Sequence, residues 1–222
     1  MNAPRHALGI IGGTGSLGSG LARRWAKAGY SILIGSRSAD RAHTMAATLR
    51  EELSVVDIRG GLNVDAASAE IVVLTIPYAQ HEAILTNIAD VVRGKIVIDC
   101  TVPLVPPKVS RVQLPPEGSA AKAAQDALGP DVRVISAFQT VAAAHIADLA
   151  HSLENDVLVC GNDPAARETV IGLVEAIGMR GLHAGPIENS AASEALTSVL
   201  IFINRHYKAE GAGVTITGAR GS

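Results

Sequence analysis

"IIGGTGSLG", residues 10–18, carries four glycines in its last seven positions; apart from Leu17, every other side chain in that heptad is a small hydroxyl. Glycine weakens strands and helices alike, so a run this dense marks a backbone that something must approach closely. Upstream, "ALGIIG" (7–12) is a continuous apolar run and reads as a strand buried on both faces. Downstream, "GSLGSGLARRWAKAG" (15–29) reads as a helix closed by Gly29. Gly13-Thr14-Gly15-Ser16-Leu17-Gly18 therefore fits G-x-G-x-x-G at a strand-to-helix handover. In that context the first glycine makes the tight turn, the second admits a pyrophosphate, and the third lets helix and strand pack closely. Free N–H groups and the dipole at the helix start favour the anion. The stretch reads as a dinucleotide site.

Outward from it, apolar runs alternate with helical patterns. "YSILIGS" (30–36) is a second strand, followed by a helix over 38–53 with Ser38 as its N-cap. "EIVVLTIP" (70–77) and "GKIVIDC" (94–100) are further strands, with a helix over 81–92 between them. A proline-rich loop (101–118) leads to a helix at 119–128 and the strand "DVRVISAF" (131–138). A helix over 142–151, a strand "DVLVCG" (156–161), a helix at 164–177, a strand near 179–184 and a long helix at 189–208 complete the pattern. This alternation predicts an α/β fold, a doubly wound and mostly parallel Rossmann-type sheet with a C-terminal α/β extension ending in a long helix. The expected division is 1–138 for the nucleotide domain and 139–222 for the extension, packed as one compact unit.

Composition narrows the function. The chain has 222 residues, a formal charge of −2 and only 3% aromatics, which argues against nucleic acid as a partner. Its first residues lack a signal-peptide pattern and no apolar run reaches membrane-spanning length, so a cytoplasmic protein with no membrane partner is expected. Cys100 and Cys160 each follow an apolar run and read as buried strand-end thiols, not as a metal site or nucleophile.

The end of the second strand selects the dinucleotide. NAD-binding proteins place an acid there for the ribose hydroxyls. Here the sequence is "ILIGSRSADR", with Ser36 and Arg37 in that place and Arg41 one helical turn on. Arginine can grip a phosphate bidentately, whereas a carboxylate would repel the 2′-phosphate. The pattern favours NADP over NAD, with Thr14 adding a hydroxyl from the glycine loop.

Several segments, in order, carry a family resemblance: "GGTGSLGSGLA", "GSRS", "VVLTIP", "VSRVQLP", "VLVCGND", "HAGPIENS" and "EALTSVLIFINRHYK" followed by "GVTITG". Together they resemble the NADPH-dependent coenzyme F-420 reductases, over nearly the whole chain. That resemblance implies hydride exchange between NADP(H) and the 8-hydroxy-5-deazaflavin ring. It matches Thr14, Ser36 and Arg37 to 2′-phosphate contacts, and places "TIP" (75–77) and "SAFQTVAAAH" (136–145) beside the nicotinamide and deazaflavin. Gln139 stands where some members have histidine, so no histidine role transfers to that position. The family is also related to the nucleotide domain of membrane ferric reductases.

Acid/base candidates are scarce. Tyr207 alone among three tyrosines is closely followed by a lysine, and the adjacent Lys208 points elsewhere on a helix. The seven histidines are scattered; His81 and His145 are singled out because both follow strand ends, where ligands bind in open sheets. No side chain is assigned a catalytic role. Hydride transfer between two ring coenzymes calls for close parallel stacking instead. Thr75, Ile76 and Pro77 on one side, with Val102, Pro103, Gln139 and Ala142 on the other, are the expected walls of that slot. Lys108 and Arg111 are either solvated loop residues or contacts for the coenzyme's acidic tail. A reductase of another acceptor (flavin, imine or ferric chelate) and a non-catalytic NADP(H) sensor are the competing readings. The last helix is apolar on more than one face, which predicts a homodimer.

Overall fold

A computed structural model describes residues 6–55 and 57–219. In chain order the elements are β1 (Ala7–Ile11), α1 (Ser16–Lys27), β2 (Ser31–Ser36), α2 (Ala39–Leu53), β3 (Ile58–Leu62), α3 (Asn63–Ala66), β4 (Ile71–Leu74) and α4 (His81–Ile88). Then come β5 (Ile96–Asp99), α5 (Ala120–Leu128), β6 (Arg133–Ser136), α6 (Ala143–Ala147), β7 (Asp156–Gly161), α7 (Pro164–Glu175), β8 (Arg180–His183) and α8 (Ser190–Tyr207). The sheet order is β3-β2-β1-β4-β5-β6-β7-β8. Neighbouring strands are parallel except β6 and β7, which meet antiparallel through only two residue pairs. The doubly wound expectation is met, with the order reversing between β1 and β4.

Central strands are apolar apart from Asp99 at the end of β5, because helices cover both faces. "IVVL" and "IVID" are buried at every position. One face packs under α1, whose Trp25 is fully buried, donates its ring N–H to the Leu173 carbonyl at 2.9 Å and meets Phe138 edge-on at 5.8 Å. That single side chain joins the glycine-loop helix to both α7 and the end of β6.

Ser38 caps α2 as expected, its hydroxyl accepting from the Arg41 N–H at 3.4 Å. Two elements were not foreseen: β3 and the single turn α3. The strand "IRGGL" lacks an apolar run because Gly60 lies against the α2 backbone at Ala42, where a Cβ would collide. The glycines that hide the strand are what let the helix dock. The helix expected over 142–151 is only Ala143–Ala147. The Arg24 guanidinium donates to the carbonyls of His145, Ile146, Asp148 and His151, holding 148–151 as a loop.

Candidate functional site

The glycine loop occupies the carboxyl edge of the sheet at the switch point, between β1 and β4. Its left-handed residue is Gly12 (φ +76°), one place before the motif's first glycine, so the tight turn belongs to Gly12 rather than Gly13. Gly13 closes that turn, its N–H donating to the Ile10 carbonyl at 3.2 Å, and is wedged against Ile34. Gly18 faces the Thr75 hydroxyl and the backbone of Gly12 and Gly13, so helix and loop touch there and no side chain fits. At Gly15 the surroundings are open: a Cβ would meet only the Gly12 carbonyl, at 3.3 Å. Gly18 provides the close packing and Gly15 the room for a ligand, as the motif requires.

A cavity of about 360 Å³ runs from this loop. It is lined by Thr14, Gly15, Ser36, Arg37, Arg41, Thr75, Ile76 and Pro77, so eight of the residues singled out in the sequence meet at one place. Asn63 and Gln80, which drew no attention in the sequence, line it too; the Asn63 side-chain oxygen accepts from the Gly12 N–H at 3.4 Å. Asn63 opens α3, the turn hidden behind the unrecognised β3, which is why its role was not visible. A second cavity, about 680 Å³ and mostly apolar in its far wall, adjoins through Ser36, Arg37, Asn63 and Gln80. Arg37 and Arg41 are exposed, and neither forms an ion pair among the described residues. Two unpaired guanidiniums beside a helix N-cap form an anion cradle.

Ser16 and Leu17 begin α1, next to the loop. Val102, Pro103, Gln139 and Ala142 do not line the 360 Å³ cavity. They follow β5 and β6, at the carboxyl edge of the same sheet. Gln139 is 5% exposed; its amide N–H donates to the Asp99 carbonyl at 2.7 Å, and its side-chain oxygen has no partner. The preceding Phe138 adopts φ +72°, a strained conformation for an aromatic residue, held by the contact with Trp25. A buried acceptor without a partner, beside a strained turn, is a feature that functional sites carry.

Beneath this wall lies a polar network that no sequence pattern announced. His81 and Asp99 are buried and hydrogen-bonded at 2.7 Å; the other Asp99 oxygen accepts from the Thr101 N–H at 2.9 Å. Burial works to lower the His81 pKa, but the hydrogen bond and charge of Asp99, with Glu194, hold it above the ordinary value. Glu194, 1% exposed, accepts from the N–H groups of Ala120 and Ala121 at 2.6 and 3.1 Å. Burial pushes its carboxyl up to about 8, against the pull of those two N–H groups, with Asp99 adding and His81 opposing. Residues 81, 99 and 194 lie in three separate elements; His81 is singled out in the sequence by its place after a strand end, whereas Asp99 and Glu194 carry no such signal. His145 is elsewhere, its ring stacked on His151 at 3.8 Å. Both cysteines are free and buried; burial raises the Cys160 thiol to about 11 and Cys100 well above the usual range, so neither is a ready nucleophile. Among the described residues, no group of three His, Cys, Asp or Glu is placed to hold a metal, and no helix is long and apolar enough to cross a membrane.

Fold and cavity together define a Rossmann-type dinucleotide-binding protein with a basic pocket beyond β2. The family described as NADP oxidoreductase, coenzyme F420-dependent, matches residues 7–103. The F420-dependent NADP reductase of Methanocaldococcus jannaschii is 39% identical over 219 residues, covering 95% of this chain and 97% of that one. Its namesake from Methanothermobacter thermautotrophicus is 37% identical over 95% of this chain and 94% of that one. A solved structure from Arthrobacter sp. FB24 shares the fold with a TM-score of 0.76 over 92% of this chain and 95% of that one, at 24% identity. The chain belongs to the F420-dependent NADP reductase family.

Proposed function

We propose that the protein transfers a hydride between NADP(H) and the deazaflavin coenzyme F-420. The observation that carries this reading is the cavity that gathers the open face of Gly15, the Ser36-Arg37-Arg41 cradle and Thr75-Ile76-Pro77. Its chemistry fits a dinucleotide with a 2′-phosphate; the identity of the second coenzyme comes from the relatives' activity. In this reading Gly13, Thr14, Gly15, Ser16, Leu17 and Gly18 embrace the pyrophosphate, and the adjoining 680 Å³ cavity takes the adenine. Val102, Pro103, Gln139 and Ala142 form the wall facing the deazaflavin. Residues 1–138 then serve as the NADP-binding part and 139–222 complete the second site.

NADPH supplies the hydride, and one proton from water completes reduction at a ring nitrogen. The chain's own work is to hold two rings face to face, exclude water and neutralise phosphate charge. No side-chain acid is needed at carbon. The exposed Val199 and Phe202 on α8, together with Tyr207, supply apolar surface suited to a second copy of this chain, which supports a homodimer as the working form; the same reading takes the protein as cytoplasmic. Mixing the protein with NADPH and oxidised deazaflavin should bleach the deazaflavin's visible absorbance over many turnovers. Binding of NADPH with no bleaching would refute the reading.

A further inference from the structure

The first turn of α5 is closed from another helix. Its N-cap Ser119 accepts from the Lys122 N–H at 3.0 Å, and the two N–H groups between them, of Ala120 and Ala121, both go to the Glu194 carboxyl on α8. The Ser190 hydroxyl, one turn before Glu194, donates to the Ser119 hydroxyl at 2.7 Å. Three residues beyond Glu194, and so on the same side of α8, the Thr197 hydroxyl donates to the Gln139 carbonyl at 2.9 Å. Gln139 is held at its other end by the Asp99 carbonyl. One helix face thus ties the α5 N-terminus to Gln139, whose buried side-chain oxygen has no partner. A carboxyl buried to 1% exposure, with its pKa driven up by that burial, is a costly way to pack a helix. Two fixed N–H partners give it a defined place that an apolar side chain would not have.

We propose that Glu194 is a positioning residue for the second coenzyme: clamped on α5, it sets the height of α8 and hence, through Thr197, the placement of Gln139 in the cleft wall. This rests on the functional reading above. In that reading NADP(H) lies in the cavity along the glycine loop and the ends of β2 and β4, and Glu194 neither lines that cavity nor bonds to a residue that does. The two coenzymes should therefore respond differently to its loss.

The test compares the unaltered protein with Glu194→Ala and Glu194→Gln, measuring KM for the deazaflavin, Kd for NADPH, and hydrogen exchange of the Ala120, Ala121 and Lys122 amides. Glu194→Ala should raise the deazaflavin KM about tenfold or more while NADPH affinity stays within about twofold. The amides of Ala120 and Ala121 should exchange faster. Glu194→Gln retains one acceptor and should fall between the two. If Glu194→Ala does not fold, Thr197→Val cuts the same tie at its far end without disturbing the buried carboxyl, and should show the same split. An unchanged deazaflavin KM in the folded variants, or an equal loss of both coenzymes, would overturn the proposal. Normal turnover by the unaltered protein alongside either of those results leaves the functional reading standing. An unaltered protein that binds NADPH but turns over no deazaflavin brings that reading down, and the role of Glu194 with it.

Discussion

Helices α1 and α8 are built on opposite plans. α1 buries Leu21, Ala22, Trp25 and Ala26 and turns Ser16 and Lys27 outward, as a helix laid on a sheet should. α8 buries Ser190, Ser193, Glu194 and Ser198, with Leu200 the one large apolar residue among them. It leaves Val199 and Phe202 43% and 56% exposed. The first helix takes its position from the hydrophobic effect. The last takes its position from hydrogen bonds at its inner face and leaves apolar side chains on its outer face. The same division runs through the proposed site: the side read as NADP-binding is local backbone geometry, and the side read as facing the deazaflavin is long-range polar bonding.

That contrast can be broken most severely at Trp25. Trp25→Ala should cost about 3–5 kcal/mol in denaturant unfolding, since it empties a fully buried site and strands the Leu173 carbonyl. Phe202→Ser, on the exposed face of α8, should change monomer stability by under about 0.5 kcal/mol yet abolish the dimer in sedimentation. A dimer that survives Phe202→Ser would remove α8 from the interface.

On the NADP side the two key glycines should separate. Gly15→Val should weaken NADPH by about 100-fold or more, roughly 3 kcal/mol, with little change in melting temperature, because the new side chain occupies ligand space. Gly18→Val should instead destabilise the fold, because it drives a side chain into Thr75 and the loop backbone. Calorimetry and thermal melts distinguish the two outcomes. Arg37→Ala should narrow the preference for NADPH over NADH by about 2–3 kcal/mol and leave NADH nearly untouched. Equal affinities for both nucleotides in the unaltered protein would remove the cradle from the account.

The C-terminal side should show itself in pH dependence. Glu194 has a folded-state pKa of about 8 against an ordinary 4.5, so between those values the native state holds a proton that the unfolded chain has released. Stability from this group is full below about pH 4.5 and is lost as pH rises towards 8, by up to about 1.4 kcal/mol per pH unit. Glu194→Gln should flatten that slope in unfolding curves taken from pH 5 to 8. The smallest effect belongs to the loop after β5. Replacing both Lys108 and Arg111 by Ala should raise the deazaflavin KM a few-fold, by about 1 kcal/mol or less, and reduce its sensitivity to salt.

Legibility in the sequence follows the same line. The glycine loop, the strand before it and the Ser36-Arg37 cradle were readable because each is a contiguous stretch whose residue types answer a local backbone or charge requirement. β3 was not readable, because Gly60 trades strand propensity for contact with α2. The shortened α6 depends on Arg24, more than a hundred residues away. The His81–Asp99–Glu194 network joins residues that periodicity places independently, and its members acquire meaning only when β5, α4 and α8 converge. Helix α8 itself was readable as a helix, but its inner and outer faces were not: its serines look like surface and its isoleucines like core.

The central claim is hydride transfer between two rings held in register, and the label itself tests it most directly. NADPH carrying deuterium at the transferable carbon 4 position should deliver it to carbon 5 of the deazaflavin, read by mass spectrometry after a single turnover, with a primary isotope effect on the rate. That isotope effect should persist when His81, Gln139 or His145 is replaced by Ala, each substitution costing less than the ~100-fold that losing a true general acid brings. Deazaflavin reduced without deuterium at carbon 5, or one of those substitutions slowing the hydride step ~1,000-fold with binding intact, would contradict the account.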